Sequence, residues 1–159
     1  MTMTLATKKL GTVTYTQADI IHFPEGLLGF ETIKHYLLIK DNYHKLLYFL
    51  QAISEPDLCF ILVYPCDLFP NYKIESDFSY PYTHHFAIVT HRELEAQTTV
   101  NLLGPIIIHK KNQTGWQIIS SNNAFSTRHI IDIKNHAKSD QKPLLKLTSS
   151  QPLVSSLTP

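Results

Sequence analysis

The apolar residues of this chain fall into short runs of strand length, and polar, turn-forming residues separate one run from the next. In residues 12–16 polar and apolar side chains alternate, as in a strand with one solvent-facing side. Residues 59–64 are apolar on both faces, which predicts a central strand, and Pro65 ends it because proline cannot donate to a strand ladder. Helix is expected only as short turns near residues 31–35 and 92–97, since neither segment can carry an apolar face alone.

The same pattern predicts an all-β fold. The expected strands are residues 12–16, 36–40, 46–50, 59–64, 86–90, 98–102, 106–109 and 116–119. Two pairs of these runs are joined by short polar connections, residues 41–45 and 110–115, which predict hairpins. Gly115 is expected to supply a positive φ in the second hairpin. Many short strands with turns between them indicate a compact small β-barrel or sandwich with short helical turns.

Length and composition suit one folded domain that needs no metal or disulfide. A chain of 159 residues is long enough to bury roughly 68–70% of its unfolded surface. The net charge of +1 argues against a broad basic surface and thus against a non-specific nucleic-acid binder. Cys59 and Cys66 are too few for a disulfide framework. The N-terminus lacks a secretory-signal pattern, and no apolar run approaches the ~20 residues of a membrane span. We therefore expect a cytoplasmic protein without membrane association.

The composition of the chain changes near residue 134. Lysines recur there at every fourth position, at Lys134, Lys138, Lys142 and Lys146. Like charges at this spacing disfavour a helix, and Pro143 would interrupt one. We predict a folded domain over residues 1–133 and a flexible polar and basic tail over residues 134–159. A contact of this tail with an acidic partner or with RNA is the alternative.

Residue types that catalyse reactions or bind metals do not form a recognisable site. None of the nine histidines belongs to an H-E-x-x-H motif, and the adjacent His84 and His85 would point to opposite faces of a strand. There is no G-x-S-x-G motif, and Gly26 and Gly29 lack the lysine and hydroxyl residue of a phosphate loop. Cys59 is expected to be a small core residue. The sequence thus predicts no enzyme activity, no cofactor and no metal.

Two polar and aromatic segments are candidates for contact with another protein. Phe69 and Tyr72 flank a proline and either plug the edge of a barrel or offer aromatic anchors. Residues 126–129 follow the last predicted strand and have no evident packing role. Within them, Arg128 either pairs with a carboxylate of the fold or presents its planar guanidinium to a partner.

Together with three further segments, these residues resemble a known family. The similarity runs along residues 20–131 and rests on five motifs in order, at residues 21–31, 50–58, 65 with 69–72, 101–106 and 125–129. They include His-Phe-Pro-Glu-Gly at residues 22–26, Asn-Leu-Leu-Gly-Pro at residues 101–105 and Ser-Thr-Arg-His at residues 126–129. The chain thereby resembles the bacterial flagellar assembly factor FliW family.

The resemblance implies a compact β-barrel-like fold, no catalytic activity and protein partners. Members of that family bind the translational repressor CsrA, relieve its repression of flagellin synthesis, and also bind flagellin, so that the two partners compete. The residues expected to contact a partner are Asn101, Leu102, Pro105, Ser126, Thr127, Arg128 and His129, with Phe69 and Tyr72 as aromatic anchors. Two alternatives stay open: a flagellin-specific chaperone without CsrA antagonism, and a small β-barrel RNA-binding protein that uses the lysines of the tail.

The sequence also departs from the family pattern. Residues 74–85 are short and aromatic where the family usually carries a longer acidic insertion. Tyr64 stands where an aspartate commonly precedes the proline, and Gly104 stands where alanine is usual. The tail lacks the acidic ending common in the family.

Overall fold

The computed structural model describes residues 1–74 and 81–132, and these form ten strands. The strands are β1 (Thr2–Thr7), β2 (Gly11–Thr16), β3 (Ile20–His22), β4 (His35–Lys40), β5 (Leu47–Ala52), β6 (Cys59–Val63), β7 (Thr83–Arg92), β8 (Gln97–His109), β9 (Thr114–Gln117) and β10 (His129–Ile131). Helix in the described residues is limited to one turn, α1 (Pro65–Leu68), and to 3₁₀ turns at Gln17–Asp19 and Glu93–Glu95. The predicted tail, residues 134–159, and residues 75–80 of the short aromatic segment lie outside the described residues.

Seven of the strands close into a β-barrel in the order β8-β7-β6-β5-β4-β3-β9, with β9 pairing back onto β8. The pairings are antiparallel except between β3 and β9, which run parallel where His22 meets Thr114. The β1–β2 hairpin forms a separate sheet, and β10 extends the large sheet beside β8. The predicted all-β barrel and both predicted hairpins are confirmed. Within the described part of the chain, no helix is long and apolar enough to cross a membrane.

Packing on both faces explains why the barrel strands read as continuous apolar runs. All six residues of β5 are buried. Tyr48, Leu50 and Ala52 belong to the cluster that fills the barrel, whereas Phe49 points outward into a second cluster. That second cluster includes Val13 of β2, so the β1–β2 hairpin covers the outer face of β4 and β5. A strand covered on both sides has no polar face, which removes the alternation.

Strand β8 departs most from the sequence-based expectation. We predicted two strands, at residues 98–102 and 106–109, but the structure has one strand of 13 residues. Its register shifts opposite β7: Asn101 pairs with Ile88 and Ile106 with Phe86, so residues 102–105 oppose the single residue Ala87. A bulge of this kind lets the strand continue past a proline, which cannot donate a ladder hydrogen bond. We call residues 102–105 the β8 bulge.

Three local expectations were wrong or incomplete. Strand β1 was not predicted, although its burial alternates along the strand as expected for a hairpin with one exposed face. Gly115 does not have the positive φ, which Gln113 adopts instead at 52°. Glycine is needed at position 115 for space, because a Cβ there would lie 2.4 Å from Cζ of the buried Phe23 ring. Pro65 does more than end β6, since it begins the helical turn α1.

Candidate protein-binding surface

The fold brings together the three segments that contain the predicted contact residues. The backbone N–H of Leu102 donates to the Ser126 carbonyl at 3.0 Å, and the Tyr72 hydroxyl donates to the Leu102 carbonyl at 3.1 Å. The rings of Phe69 and His129 meet edge to face, with centroids 4.8 Å apart. Three segments distant in sequence, residues 69–72, 101–105 and 120–129, therefore form one surface, which we call the bulge face.

Side-chain hydrogen bonds fix the β8 bulge. The Asn101 Oδ1 atom accepts hydrogen bonds from the backbone N–H groups of Leu103 and Gly104, at 3.1 and 2.8 Å. The Gln117 side-chain amide donates to the Gly104 carbonyl at 2.8 Å. A Cβ at position 104 would lie 2.9 Å from that amide nitrogen, so the alanine common in the family would require Gln117 to shift. Asn101 thus shapes the turn, and its side-chain oxygen is occupied by the chain itself.

The loop between β9 and β10 is held by short polar side chains. The Asn122 N–H donates to Ser120 Oγ at 3.2 Å, and Asn122 Oδ1 accepts from the Ala124 N–H at 3.0 Å. The Arg128 N–H donates to Ser126 Oγ at 3.2 Å. Such local bonds order a loop that stays on the surface. The side chains of Ser126 and Thr127 are accordingly exposed on a defined backbone.

Three of the predicted contact residues are buried beneath this surface. Leu102 is 1% and Tyr72 5% exposed, and Pro105 is buried as well. Tyr72 packs against Phe125, with ring centroids 4.7 Å apart. This is a correction to the interpretation of Tyr72 as an exposed anchor: its ring plugs the core, and its hydroxyl holds the bulge. The face available for direct contact consists of Ser126, Thr127 and Arg128, with Phe69 and His129 half-buried at its border.

Residues 126–129 also have the packing role that the sequence did not reveal. His129 begins β10, which pairs with β8 from Val100 to Thr98, and its ring packs on Phe69. Ile131, at the end of β10, joins the same buried cluster as Leu102. Strand β10 was missed because three residues carry too little pattern to be recognised without their partner strand.

Arg128 lies in a small network of exposed charges. Its Nη2 atom is 3.8 Å from Glu95 Oε2, while Arg92 Nη1 is 3.2 Å from Glu95 Oε1. All three side chains are about half exposed, and exposed pairs of this kind contribute about 0–1 kcal/mol to stability. Sequence reasoning missed Glu95 because only the β7–β8 pairing brings residues 93–95 beside β10. The two earlier alternatives for Arg128 are compatible, since so weak a pair leaves the guanidinium available to a partner.

Exposed apolar side chains adjoin the bulge face. Ile119 is 64% and Leu28 58% exposed. Both residues adjoin Gln117, whose side chain supports the β8 bulge. The Leu28 N–H donates to Gln117 Oε1 at 3.0 Å, and Ile119 follows Gln117 by two residues. Leu28 lies in the first of the five family motifs, residues 21–31, and Ile119 ends the predicted strand at residues 116–119. The sequence contained no signal that either would be exposed.

The described residues contain no group of three or more His, Cys, Asp or Glu side chains that could hold a metal ion. Burial raises the pKa of the Cys59 thiol to about 12, and a thiol of such low acidity is a poor nucleophile. The bulge face itself offers a backbone fixed by hydrogen bonds, small polar groups, a guanidinium and nearby apolar side chains.

Comparisons with known proteins agree with one another. The profile of the family described as "FliW protein" matches residues 4–131. A flagellar assembly factor FliW from Caldanaerobacter subterraneus is 34% identical over 145 residues, which are 84% of this chain and 97% of that protein. Another from Desulfitobacterium hafniense is 31% identical over 152 residues, 89% of this chain and 97% of that one. A crystal structure of the flagellar assembly factor FliW superimposes with a TM-score of 0.71 at 27% identity, covering 83% of this chain and 99% of that one.

Proposed function

The chain belongs to the FliW family of flagellar assembly factors, and we propose that it binds the translational repressor CsrA and releases it when flagellin binds instead. In this role it relieves the repression of flagellin synthesis according to the supply of free flagellin. It acts in the cytoplasm as a binding protein, without catalysis, cofactor or direct contact with nucleic acid. The family resemblance supplies the two partners, and the structure supplies a surface suited to such binding.

The observation that carries the proposal is the convergence of the family motifs on the bulge face. The motifs at residues 69–72, 101–106 and 125–129 are separated in sequence but joined by the hydrogen bonds of Leu102 to Ser126 and Tyr72. A surface whose loops are already ordered loses little conformational entropy on association, which favours affinity. Buried motif residues such as Leu102 and Tyr72 then contribute by holding the exposed ones in place.

Arg128 is the residue we expect to contribute most to direct binding. Its fork of N–H donors can bind a carboxylate with two parallel hydrogen bonds, and arginine is enriched among residues that dominate interface energies. Its contact with Glu95, at 3.8 Å, is long and half exposed, so exchanging Glu95 for a partner carboxylate costs little. Ser126 and Thr127 offer neutral hydroxyl groups beside it.

The test is calorimetric titration of the protein into CsrA, repeated with flagellin present. We expect saturable binding that flagellin displaces. Arg128→Ala should weaken CsrA binding by about tenfold, in the range of an interface residue worth 1–2 kcal/mol. Arg92→Ala is the matched control, since Arg92 is also exposed and also pairs with Glu95. It should change affinity by less than about threefold.

Other outcomes would identify the alternatives. Flagellin binding without a CsrA complex would indicate a flagellin-specific chaperone. RNA retention that falls steeply with salt and disappears on removal of residues 134–159 would indicate an RNA-binding barrel. If Arg128→Ala unfolds the protein, or if Arg92→Ala weakens CsrA binding as much, the role assigned to Arg128 is wrong.

A further inference from the structure

A cavity of about 660 Å³ opens at one end of the barrel. It is lined by Ala18, Asp19, Ile21, Leu38, Tyr82, His84, Ile108, Lys110, Lys111 and Gln113. Ile21, Leu38 and Ile108 are buried members of the cluster that fills the barrel, so the cavity has an apolar floor made of the core itself. Its volume lies in the range of about 300–1,000 Å³ typical of small-molecule sites, which often occupy the mouths of β-barrels.

Hydrogen bonds hold the wall of this cavity in place. The Gln113 side-chain amide donates to the carbonyl groups of Ala18 and Ile20, which fixes the β8–β9 turn against the 3₁₀ turn before β3. On the other side, the Lys110 N–H donates to the Tyr82 carbonyl at 3.3 Å. The cavity is thus lined by segments far apart in the sequence, within residues 18–38 and 82–113. None of the lining residues that the structure describes belongs to the bulge face.

Among the described residues of the cavity lining, positive charge is in excess. Lys110 and Lys111 both line it, and Lys111 Nζ also lies 5.8 Å above the Tyr82 ring. The one carboxylate among these described lining residues, Asp19, accepts hydrogen bonds from the N–H and hydroxyl of Thr16 at 2.7 and 2.9 Å. Burial, and next to it the charge of Lys110, lowers the pKa of His84 and so disfavours its charged form, and the ring shares a hydrogen bond of 3.0 Å with the Tyr64 hydroxyl.

We propose that this cavity binds a small amphipathic carboxylate, such as a medium-chain fatty acid. The apolar tail lies on Ile21, Leu38 and Ile108, and the carboxylate faces the ammonium groups of Lys110 and Lys111. A flexible lysine makes a point-like charge contact, which suits a ligand held chiefly by its tail. A phosphate without a tail would leave the floor uncovered, and a neutral alcohol would leave the lysines unused. The site is separate from the proposed CsrA and flagellin surface.

Titration calorimetry and amide NMR spectra with octanoate and decanoate, both below their micelle concentrations, test the proposal. We expect saturable binding, shifts at the cavity residues, and affinity that rises by up to about fourfold for each added methylene that becomes buried. The double variant Lys110→Gln/Lys111→Gln should bind at least fivefold more weakly. Octan-1-ol, which has the tail without the charge, should also bind at least fivefold more weakly than octanoate.

A variant that blocks the mouth of the cavity tests whether the carboxylate binds there or elsewhere on the surface. Ala18 is exposed at the mouth, so Ala18→Trp places a large ring over the opening without altering the core. It should abolish binding, whereas Ala124→Trp, on the exposed loop of the bulge face, should leave it unchanged. Absence of saturable binding, equal binding of octanoate and octan-1-ol, or full binding by the folded Ala18→Trp variant would overturn the proposal. The measurements of octanoate, decanoate and octan-1-ol binding do not depend on CsrA. The cavity proposal can therefore fail while the CsrA proposal holds, and the reverse is also true.

Discussion

Replacing Tyr72 by phenylalanine tests whether this residue supports the bulge face from within or contacts a partner directly. The change removes one hydroxyl, which donates to the Leu102 carbonyl at 3.1 Å in a position where Tyr72 is 5% exposed. A buried hydrogen bond contributes about 1 kcal/mol, and a carbonyl that loses its donor adds to the cost. We therefore expect Tyr72→Phe to lower the free energy of unfolding by about 1–2 kcal/mol. The ring itself, packed on Phe125, stays in place.

Urea denaturation followed by circular dichroism measures this change, and thermal unfolding should show a decrease of about 2–4 °C in Tm for each kcal/mol. Tyr43→Phe is the control, because Tyr43 is 51% exposed and surface substitutions of this kind change stability by less than about 0.5 kcal/mol. CsrA affinity of the folded Tyr72→Phe protein should stay within about threefold of wild type. A tenfold loss of CsrA affinity with unchanged stability would refute the argument, since it would make the hydroxyl a direct contact.

Two further predictions concern the core. Gly115→Ala should destabilise the fold by about 3 kcal/mol, because its Cβ would lie 2.4 Å from Cζ of the fully buried Phe23 ring; a loss below about 1 kcal/mol in urea denaturation would contradict this. At pH 8 a thiol reagent should modify the exposed Cys66 and spare Cys59, whose pKa near 12 leaves about one thiolate in ten thousand, and mass spectrometry distinguishes the two sites. Because the thiolate fraction grows as pH approaches the pKa, Cys59 reactivity in the folded protein should rise about tenfold per pH unit. Rapid modification of Cys59 at pH 8 would contradict the raised pKa of this thiol.

Six of the seven barrel strands could be predicted because their signal is local; the exception is the three-residue strand β3. In β5 and β6 every residue is apolar or packs against an apolar neighbour, and such runs are visible without knowing the partner strand. Strands β1, β3 and β10 were missed. Strand β1 has few strongly apolar side chains, whereas β3 and β10 have three residues each, and their pairing depends on the whole fold.

The candidate site could be predicted as a set of segments but not as a surface. The motifs that resemble the family contain Tyr72, Leu102 and Arg128, and the fold does bring them together. The sequence could not tell which of them is exposed, since Leu102 and Ile119 are both aliphatic residues in β-rich segments and yet are 1% and 64% exposed. Exposure depends on which side of a strand is covered by elements from elsewhere in the chain.

The sequence by itself determined the β-rich architecture, the hairpins and the family, because alternation, turn residues and ordered motifs are properties of neighbouring residues. Only the tertiary structure decided that β9 pairs with both β8 and β3 to close the barrel, and that the β8 bulge continues one strand where two were expected. It also decided that a cavity with an apolar floor and a basic rim opens at one end. These features arise from contacts between residues far apart in the chain. Such contacts form only when folding brings those distant segments together.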